Sequence, residues 1–588
     1  MTAKLTGIVG AISAILLLTS TAFAREGTLT SYHGVWVMNL YGSRTEMARQ
    51  HGQLIKDRIA DTALPFFANK IHNAIKQTYI IKDFPALTAP TLAAIDFWVT
   101  HPLRRVLPHE DREVMKAFAA GARYPLSDAL NAAVVPDVGQ WLTTTIFHKN
   151  NVLDGAFGEV GTFGCSSFVI PGTNGFVHAR NLDYESYGIF DKNAVVIYFH
   201  PDKGAQTYTS ISSLGIHTAG ITATNESGIT IELHQTFVSA VSRTGTPIIS
   251  TTERAIREAH TFDEALRILE SAKYAGSWAL VVSSARENRA AVVEVSADGA
   301  EIREMSGKYL VMTNHVLTSL MKKREFSVNY SSYVETHERY NLIDRVAREM
   351  SEAGRLDAQS AIDLISNGPV AKLNNIQSVV FLPRQNTIYM GVPALADSEP
   401  ANGNFVALPL NGNFEKFDAS PDLPRSSPLT HDRMQAHALR RQASALATEE
   451  GKFTQAAGLL TQAAALEPTN AEYPFLAALS YFHAAPGLKN HTARRVMAAR
   501  GNELLLAARD LHPARYLENL IRLFHGRYLD SLNTHESRAE ALQQYALVDT
   551  KFSKPLREAV TADLKSHYGL HEFRKITVDY LHGDLYRF

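Results

Sequence analysis

The chain of 588 residues contains a single cysteine, Cys165. One thiol excludes a disulfide within the chain and makes a poor metal site, which leaves inert core filler, a link to another molecule, or a nucleophile. A basic excess is missing as well. The 58 Lys and Arg stand against 59 Asp and Glu, a formal net charge of −1, so nothing is left over to neutralise phosphates and no nucleic-acid partner is expected. The 23 histidines include no HExxH or ligand-spaced pair, and neither a metal nor another cofactor is expected. No G-x-S-x-G elbow occurs, which argues against a serine hydrolase of the α/β type. Apolar stretches beyond the N-terminus are broken by charges, so no further spanning helix is expected.

The N-terminus reads as a targeting segment. Lys4 precedes an apolar run from Gly7 to Leu18, and Ala22-Phe23-Ala24 is an A-x-A cleavage site. Residues 1–24 are therefore expected to be a signal peptide, and the mature protein to be exported, periplasmic or extracellular, and not integral to a membrane. In an oxidising compartment a cysteine without a partner calls for an explanation.

Residues 25–164 read as a helical N-terminal segment. Met47, His51, Leu54, Ile55 and Ile59 recur at helical spacing, as do Val114, Phe118 and Ala119. From Cys165 the texture becomes short β-branched runs broken by turns: 165–170, 176–179, 194–200, 207–212 and 229–233. A pair of helices follows at 251–260 and 262–272, then strands at 278–284, 290–296, 300–304 and 309–314. A helix fits 335–350, and strands return at 378–382 and 387–391. Sheets covered by helices make 165–410 an α+β domain. Residues 411–430, rich in Pro, Asn, Ser and Asp, read as a linker, and 431–588 as an all-α module. Gly451, Phe453, Ala456, Ala463 and Pro468 sit at tetratricopeptide-like offsets in one copy, a pattern that two plain amphipathic helices fit equally. Such a module suits a protein partner.

Four segments carry chemistry: Gly164-Cys165-Ser166-Ser167-Phe168, His178-Ala-Arg-Asn-Leu-Asp-Tyr184, Thr224-Asn-Glu-Ser-Gly228 leading to Glu232-Leu-His-Gln235, and Met312-Thr-Asn-His-Val316. A thiol attacks as thiolate, and a nearby cation favours that form. Arg180 lies one hairpin from Cys165. Arg180 and Asp183 are three apart, so on a regular strand they face opposite sides, and both reach one place only if the strand ends or bends at Asn181. An amide at a strand end, such as Asn314, suits an oxyanion hole.

These segments, in this order and spacing, resemble the N-terminal-nucleophile (Ntn) hydrolases with a cysteine nucleophile, and above all the acyl-coenzyme A:6-aminopenicillanic-acid acyltransferase family. Penicillin V acylases, bile salt hydrolases and phospholipase B-like proteins are more distant relatives. Gly42 to Gly52 is similar to the opening of that family's pro-segment. The resemblance implies an αββα four-layer sandwich with a helical pro-segment, and self-cleavage between Gly164 and Cys165. It makes Cys165 the nucleophile, with its own α-amine as base. Arg180 would tune the thiolate, Asp183 would hold the α-ammonium, Asn314 would bind substrate or hold the network, and Arg339 would be the late active-site arginine. His234-Gln235 stands where relatives place an oxyanion asparagine, so these two are the candidate substrate-binding residues. The expected activity is hydrolysis, or transfer, of the acyl group of a small linear amide such as an N-acyl amino acid, N-acyl homoserine lactone or acylated β-lactam. A lipid acyl hydrolase, or a silent Ntn-like scaffold with a helical interaction module, are the alternatives.

Overall fold

The computed structural model describes residues 25–587 except 78–80, 82–83, 148–163, 173–174, 203, 327–329, 418–420, 552–553 and 582–583. The expected signal peptide and the residues just before Gly164 lie outside the described residues.

Two sheets stack face to face. The nine-stranded sheet runs β1 (Thr28–Tyr32), β2 (Val35–Gly42), β5 (Ala194–Pro201), β6 (Tyr208–Ser213), β7 (Thr222–Asn225), β8 (Ile229–Gln235), β9 (Trp278–Ser284), β10 (Arg289–Ser296) and β11 (Gly299–Glu304). The seven-stranded sheet runs β12 (Leu310–Met312), β3 (Gly164–Gly172), β4 (Gly175–Asp183), β13 (Asn375–Leu382), β14 (Thr387–Val392), β15 (Asn404–Pro409) and β16 (Leu423–Pro424). Val169 and Phe176 of the second sheet meet Ala279, Val281 and Val292 of the first, and Val379 and Phe381 meet Val37 and Val196.

Helices cover both outer faces. On the nine-stranded sheet lie α1 (Arg44–Ile55), α3 (His109–Ala122), α5 (Ile248–Glu258) and α6 (Phe262–Glu270), which bury Met47, Phe118, Ile256 and Leu266 against Ile197, Ile231 and Leu280. On the seven-stranded sheet α7 (Tyr330–Glu352) and α8 (Ala358–Ile365) bury Ile343, Ala347 and Ile362 against Phe168, Val177 and Ala179. Helices α2 (Ala63–Gln77) and α4 (Leu126–Leu142) pack together at the end near β3. The result is the four-layer αββα sandwich. Because both faces of each sheet are covered, the inner strands such as β4, β8 and β13 read as unbroken buried runs rather than as an apolar–polar alternation.

Two departures from the sequence reading follow from this burial. The N-terminal segment is not only helical: β1 and β2 precede α1, and β2 pairs in parallel with β5 from Trp36↔Val195 to Gly42↔Pro201. Residues 28–42 are thus built into the sheet, across the boundary expected at 165. The strand expected at 176–179 runs on through the R-N-L-D motif to Asp183 as β4, while β8 ends at Glu232-Leu-His-Gln235 as expected. The polarity of the motif hides a strand whose side chains are buried and hydrogen-bonded.

The opening glycines have a packing reason. A Cβ on Gly52 would stand 2.3 Å from the Phe118 carbonyl, and one on Gly121 2.3 Å from the Arg49 carbonyl, so α1 and α3 cross backbone to backbone. The N-terminal segment is also tied to the sheets by α4. The Asp137 carboxylate accepts from the Ile248 N–H (2.9 Å) and the Trp278 indole N–H (3.1 Å), and the Gln140 amide donates to the Thr236 and Ser277 carbonyls (2.9 and 2.7 Å).

The expected linker is anchored: Asp422 accepts from His33, and the Ser426 N–H and hydroxyl both bond Asp363. Beyond it, α9 (His431–Thr448) begins a stack of antiparallel helices around Leu460, Phe475, Leu479, Phe482, Leu520 and Phe524. It closes with the small hairpin β17 (Thr577–Asp579) and β18 (Asp584–Arg587). Among the described residues no helix is long and apolar enough to cross a membrane.

Asp137→Ala should leave two buried N–H donors without acceptors and destabilise the two-sheet domain by roughly 2 kcal/mol or more, read as a lower melting temperature.

Candidate active site

Cys165 is the second residue of β3 and is fully buried. The hairpin register pairs Gly164↔Asp183, Cys165↔Leu182, Ser166↔Asn181 and Ser167↔Arg180. Side chains alternate, so Cys165, Ser167 and Arg180 share the face toward the other sheet, while Asp183 points to the outer, helical face. No bend occurs at Asn181. The two charged residues of the motif approach the cysteine from opposite sides of one regular strand, one at its side chain and one at its backbone.

Between the sheets the Arg180 guanidinium lies 3.5 Å from Cys165 Sγ. It donates as well to the Leu233 carbonyl on β8 (2.6 Å), the Ile221 carbonyl just before β7 (2.7 Å) and Thr222 Oγ1 at the start of β7 (2.6 Å). The thiol itself is 3.6 Å from the Leu233 carbonyl. Burial pushes the Cys165 thiol up, and the Arg180 charge pulls it back.

On the outer face Asp183 accepts from the Asn375 amide (3.0 Å). A Cβ at position 164 would come within 2.9 Å of its carboxylate, so only glycine lets the chain pass that close. Asn314 and Arg339 close the site from the edge. Asn314 Oδ1 accepts from the Cys165 N–H (2.7 Å) and from Arg339 (2.9 Å), and its amide donates to the Gln235 carbonyl (2.9 Å). Arg339 also donates to the Cys165 carbonyl and to Ser166 Oγ (2.8 Å). The structure thus brings Cys165, Arg180, Asp183, Asn314 and Arg339 together from β3, β4, the loop after β12, and α7.

His234 and Gln235 stand differently from the expectation. His234 is buried between the sheets, with one ring nitrogen 2.7 Å from Ser167 Oγ and the other 3.2 Å from the Thr313 carbonyl. Its ring is committed to the strands, and burial holds its pKa at about 3, so it stays neutral. Gln235 meets the site through its main-chain carbonyl. Neither lines the cavity beside the thiol. The sequence reading also missed the partners of His234. Ser167 donates to Glu232 (2.6 Å), which His178 Nε2 reaches at 3.0 Å, and His178 Nδ1 pairs with Ser283 (2.8 Å). The alternation of 165, 167, 178 and 180 was the signal for that shared face. Nothing in the sequence marked Asn375.

An apolar cavity of about 90 Å³ lies near Cys165. Phe67, Val135, Leu182, Phe190, Ile216 and Ile221 belong to the packed cluster that contains Cys165 and line the cavity. The N-terminal segment supplies much of the wall, and at one end Arg44 is held by Asp111 (2.8 Å) and Glu253 (3.1 Å). Among the described residues no three His, Cys, Asp or Glu cluster so as to hold a metal.

A lone buried cysteine at the start of a strand in an αββα sandwich, faced by an arginine, places this fold with the cysteine Ntn hydrolases. Residues 171–399 match the model of the acyl-coenzyme A:6-aminopenicillanic acid acyl-transferase family. The match begins at Pro171, downstream of Cys165, and stops before the helical module. No curated protein matches the chain. Among solved structures, a Caenorhabditis elegans N-acylethanolamine-hydrolyzing acid amidase ortholog is similar at 15% identity, over 37% of this chain and 93% of that one, with a TM-score of 0.31. A variant of the conjugated bile acid hydrolase from Clostridium perfringens is similar at 11% identity, over 45% of this chain and 98% of that one, with a TM-score of 0.33.

Arg180→Met should remove the only cation in hydrogen-bond reach of Cys165 Sγ among the described residues. The midpoint of the iodoacetamide rate–pH profile should then rise by roughly one to two units, and less for Arg180→Lys.

Proposed function

We propose that the protein is an exported cysteine Ntn hydrolase that matures by cutting itself between Gly164 and Cys165 and then cleaves the amide bond of a small molecule with an apolar acyl group. The observation that carries this reading is the buried Cys165 thiol, set against Arg180 and packed in one cluster with residues that line an apolar cavity.

In maturation Cys165 Sγ attacks the Gly164 carbonyl carbon. The C–N bond breaks, the Cys165 nitrogen takes a proton to become an amine, and Gly164 is held as a thioester. Water attacks that thioester, releasing the Gly164 carboxylate and the thiol. Glycine before the cysteine leaves the carbonyl open to attack. Asn314, already bonded to the Cys165 nitrogen, and Asp183 on the other side hold the new amine.

In turnover the α-amine, with an ordinary pKa of about 7.7–8.0, accepts the thiol proton. The thiolate attacks the substrate carbonyl, and the proton passes to the leaving amine as the C–N bond breaks. Water then resolves the thioester with the α-amine again as base. Arg180 stabilises the thiolate throughout. The acyl group lies among Phe67, Leu182 and Phe190. Export rests on the apolar run and the A-x-A site at residues 7–24.

Purified wild type should give two polypeptides, the second starting at Cys165 by N-terminal sequencing, and Cys165→Ala should stay uncut at that bond. Mature enzyme should release carboxylate from N-acyl amino acids, with kcat/KM rising with acyl length. Cleavage before residue 165 in Cys165→Ala would rule out autoproteolysis. Fatty acid release from phospholipid with no turnover of N-acyl amino acids would rule out the amidase.

A further inference from the structure

We propose that the C-terminal helical module is part of the catalytic unit, with Arg441 as a positioning residue that holds one wall of the acyl cavity. The module lies wholly outside the matched family region, so that family supplies no role for it. The proposal rests on the reading of the cavity as the acyl site.

The segment from Tyr184 to Asn193 leaves β4 directly after Asp183. Tyr184 and Phe190 pack in the cluster that contains Cys165, and Phe190 lines the cavity. The segment is not regular: Tyr187 has φ +51° and Gly188 φ +79°. A non-glycine residue in the left-handed region is strained, and persists where its surroundings determine it. Those surroundings come from α2, whose Lys70 and Phe66 meet the Tyr187 ring, and from α9. Arg441 Nη2 bonds Asp191 at 3.0 Å, and Arg441 Nη1 donates to the Ser398 and Asp397 carbonyls. Ser444 Oγ donates to the Glu185 carboxylate (2.6 Å), and Thr448 Oγ1 bonds the Tyr187 hydroxyl (3.0 Å). Positions 441, 444 and 448 share one helix face, so one surface of α9 grips the segment along its length.

The grip is a buried ionic one. Arg441 is 6% exposed and Asp191 4%, and Glu399, paired to His437 at 2.6 Å, lies in the same cluster. An apolar face would suffice merely to dock two domains. A desolvated guanidinium with several fixed acceptors contributes little net stability but specifies one geometry. That geometry is spent on the stretch between Asp183 and the cavity wall.

The test uses the full-length mature enzyme, with rates normalised to iodoacetamide-titratable Cys165. Arg441→Met should lower the ratio of kcat/KM for long-acyl over short-acyl amino acids by roughly tenfold, because a displaced Phe190 wall affects the long chain most. Ser444→Ala/Thr448→Val, which strands no buried cation, should lower it about threefold, and Arg441→Lys should recover part of the loss. Amide hydrogen exchange over 184–193 should quicken in each weakened variant. A general loss of folding would scale both substrates alike and leave the ratio unchanged. An unchanged ratio, or unchanged exchange over 184–193 in both folded variants, would overturn the proposal. If wild type turns over no N-acyl amide, the functional reading fails, and the exchange data alone decide whether α9 holds the segment.

Discussion

A guanidinium with no access to water ties the two sheets together at Cys165. Arg180 reaches from β4 across the inter-sheet gap and spends its donors on two carbonyls, a hydroxyl and the thiol. A buried cation without such acceptors would be too costly to keep. Its acceptors belong to β8, the start of β7 and the residue before it, so the same bonds that make the charge tolerable fix how the sheets are offset. Cys165 inherits that offset. Its thiol, raised by burial, has its charged form supported from one fixed direction.

The hairpin then divides the chemistry by strand parity. Residues 165, 167, 178 and 180 face inward, where side-chain chemistry is sheltered. Gly164, Ser166, Asn181 and Asp183 face outward, where they meet Arg339, Asn375 and the carbonyl groups near α8. In the proposed mechanism the nucleophile also carries the base on its own nitrogen, and both sides must be addressed at once. An odd spacing between arginine and aspartate on an unbroken strand provides this without a bend.

The parts legible in the sequence were those set by local pattern. The short β-branched runs after Cys165, the helix pair near 250–270 and the glycine before the cysteine all announce themselves through neighbours a few residues away. What escaped depends on partners far off in the chain. Residues 28–42 form strands because Val195 to Pro201 lie ready to pair with β2, about 160 residues downstream. The polar end of β4 is a strand because its side chains find buried partners on other elements. Asn375 and Arg441 carry no local mark at all, since their meaning is the carboxylate each one meets.

His234 illustrates the limit of reading a position by its neighbours in sequence. At the end of a strand facing a nucleophile, a histidine suggests a donor to substrate. In the fold it joins Ser167 to the Thr313 carbonyl, inside a buried chain that continues through Glu232 and His178 to Ser283. Every member of that chain is buried, so each hydrogen bond runs in a low-dielectric setting where a missing partner is expensive. Such a chain tolerates few rearrangements, and it borders Arg180 on one side and the residue before Asn314 on the other. The two groups that touch the thiol and the backbone of Cys165 are therefore not independent. They are held in one frame by polar residues that touch neither.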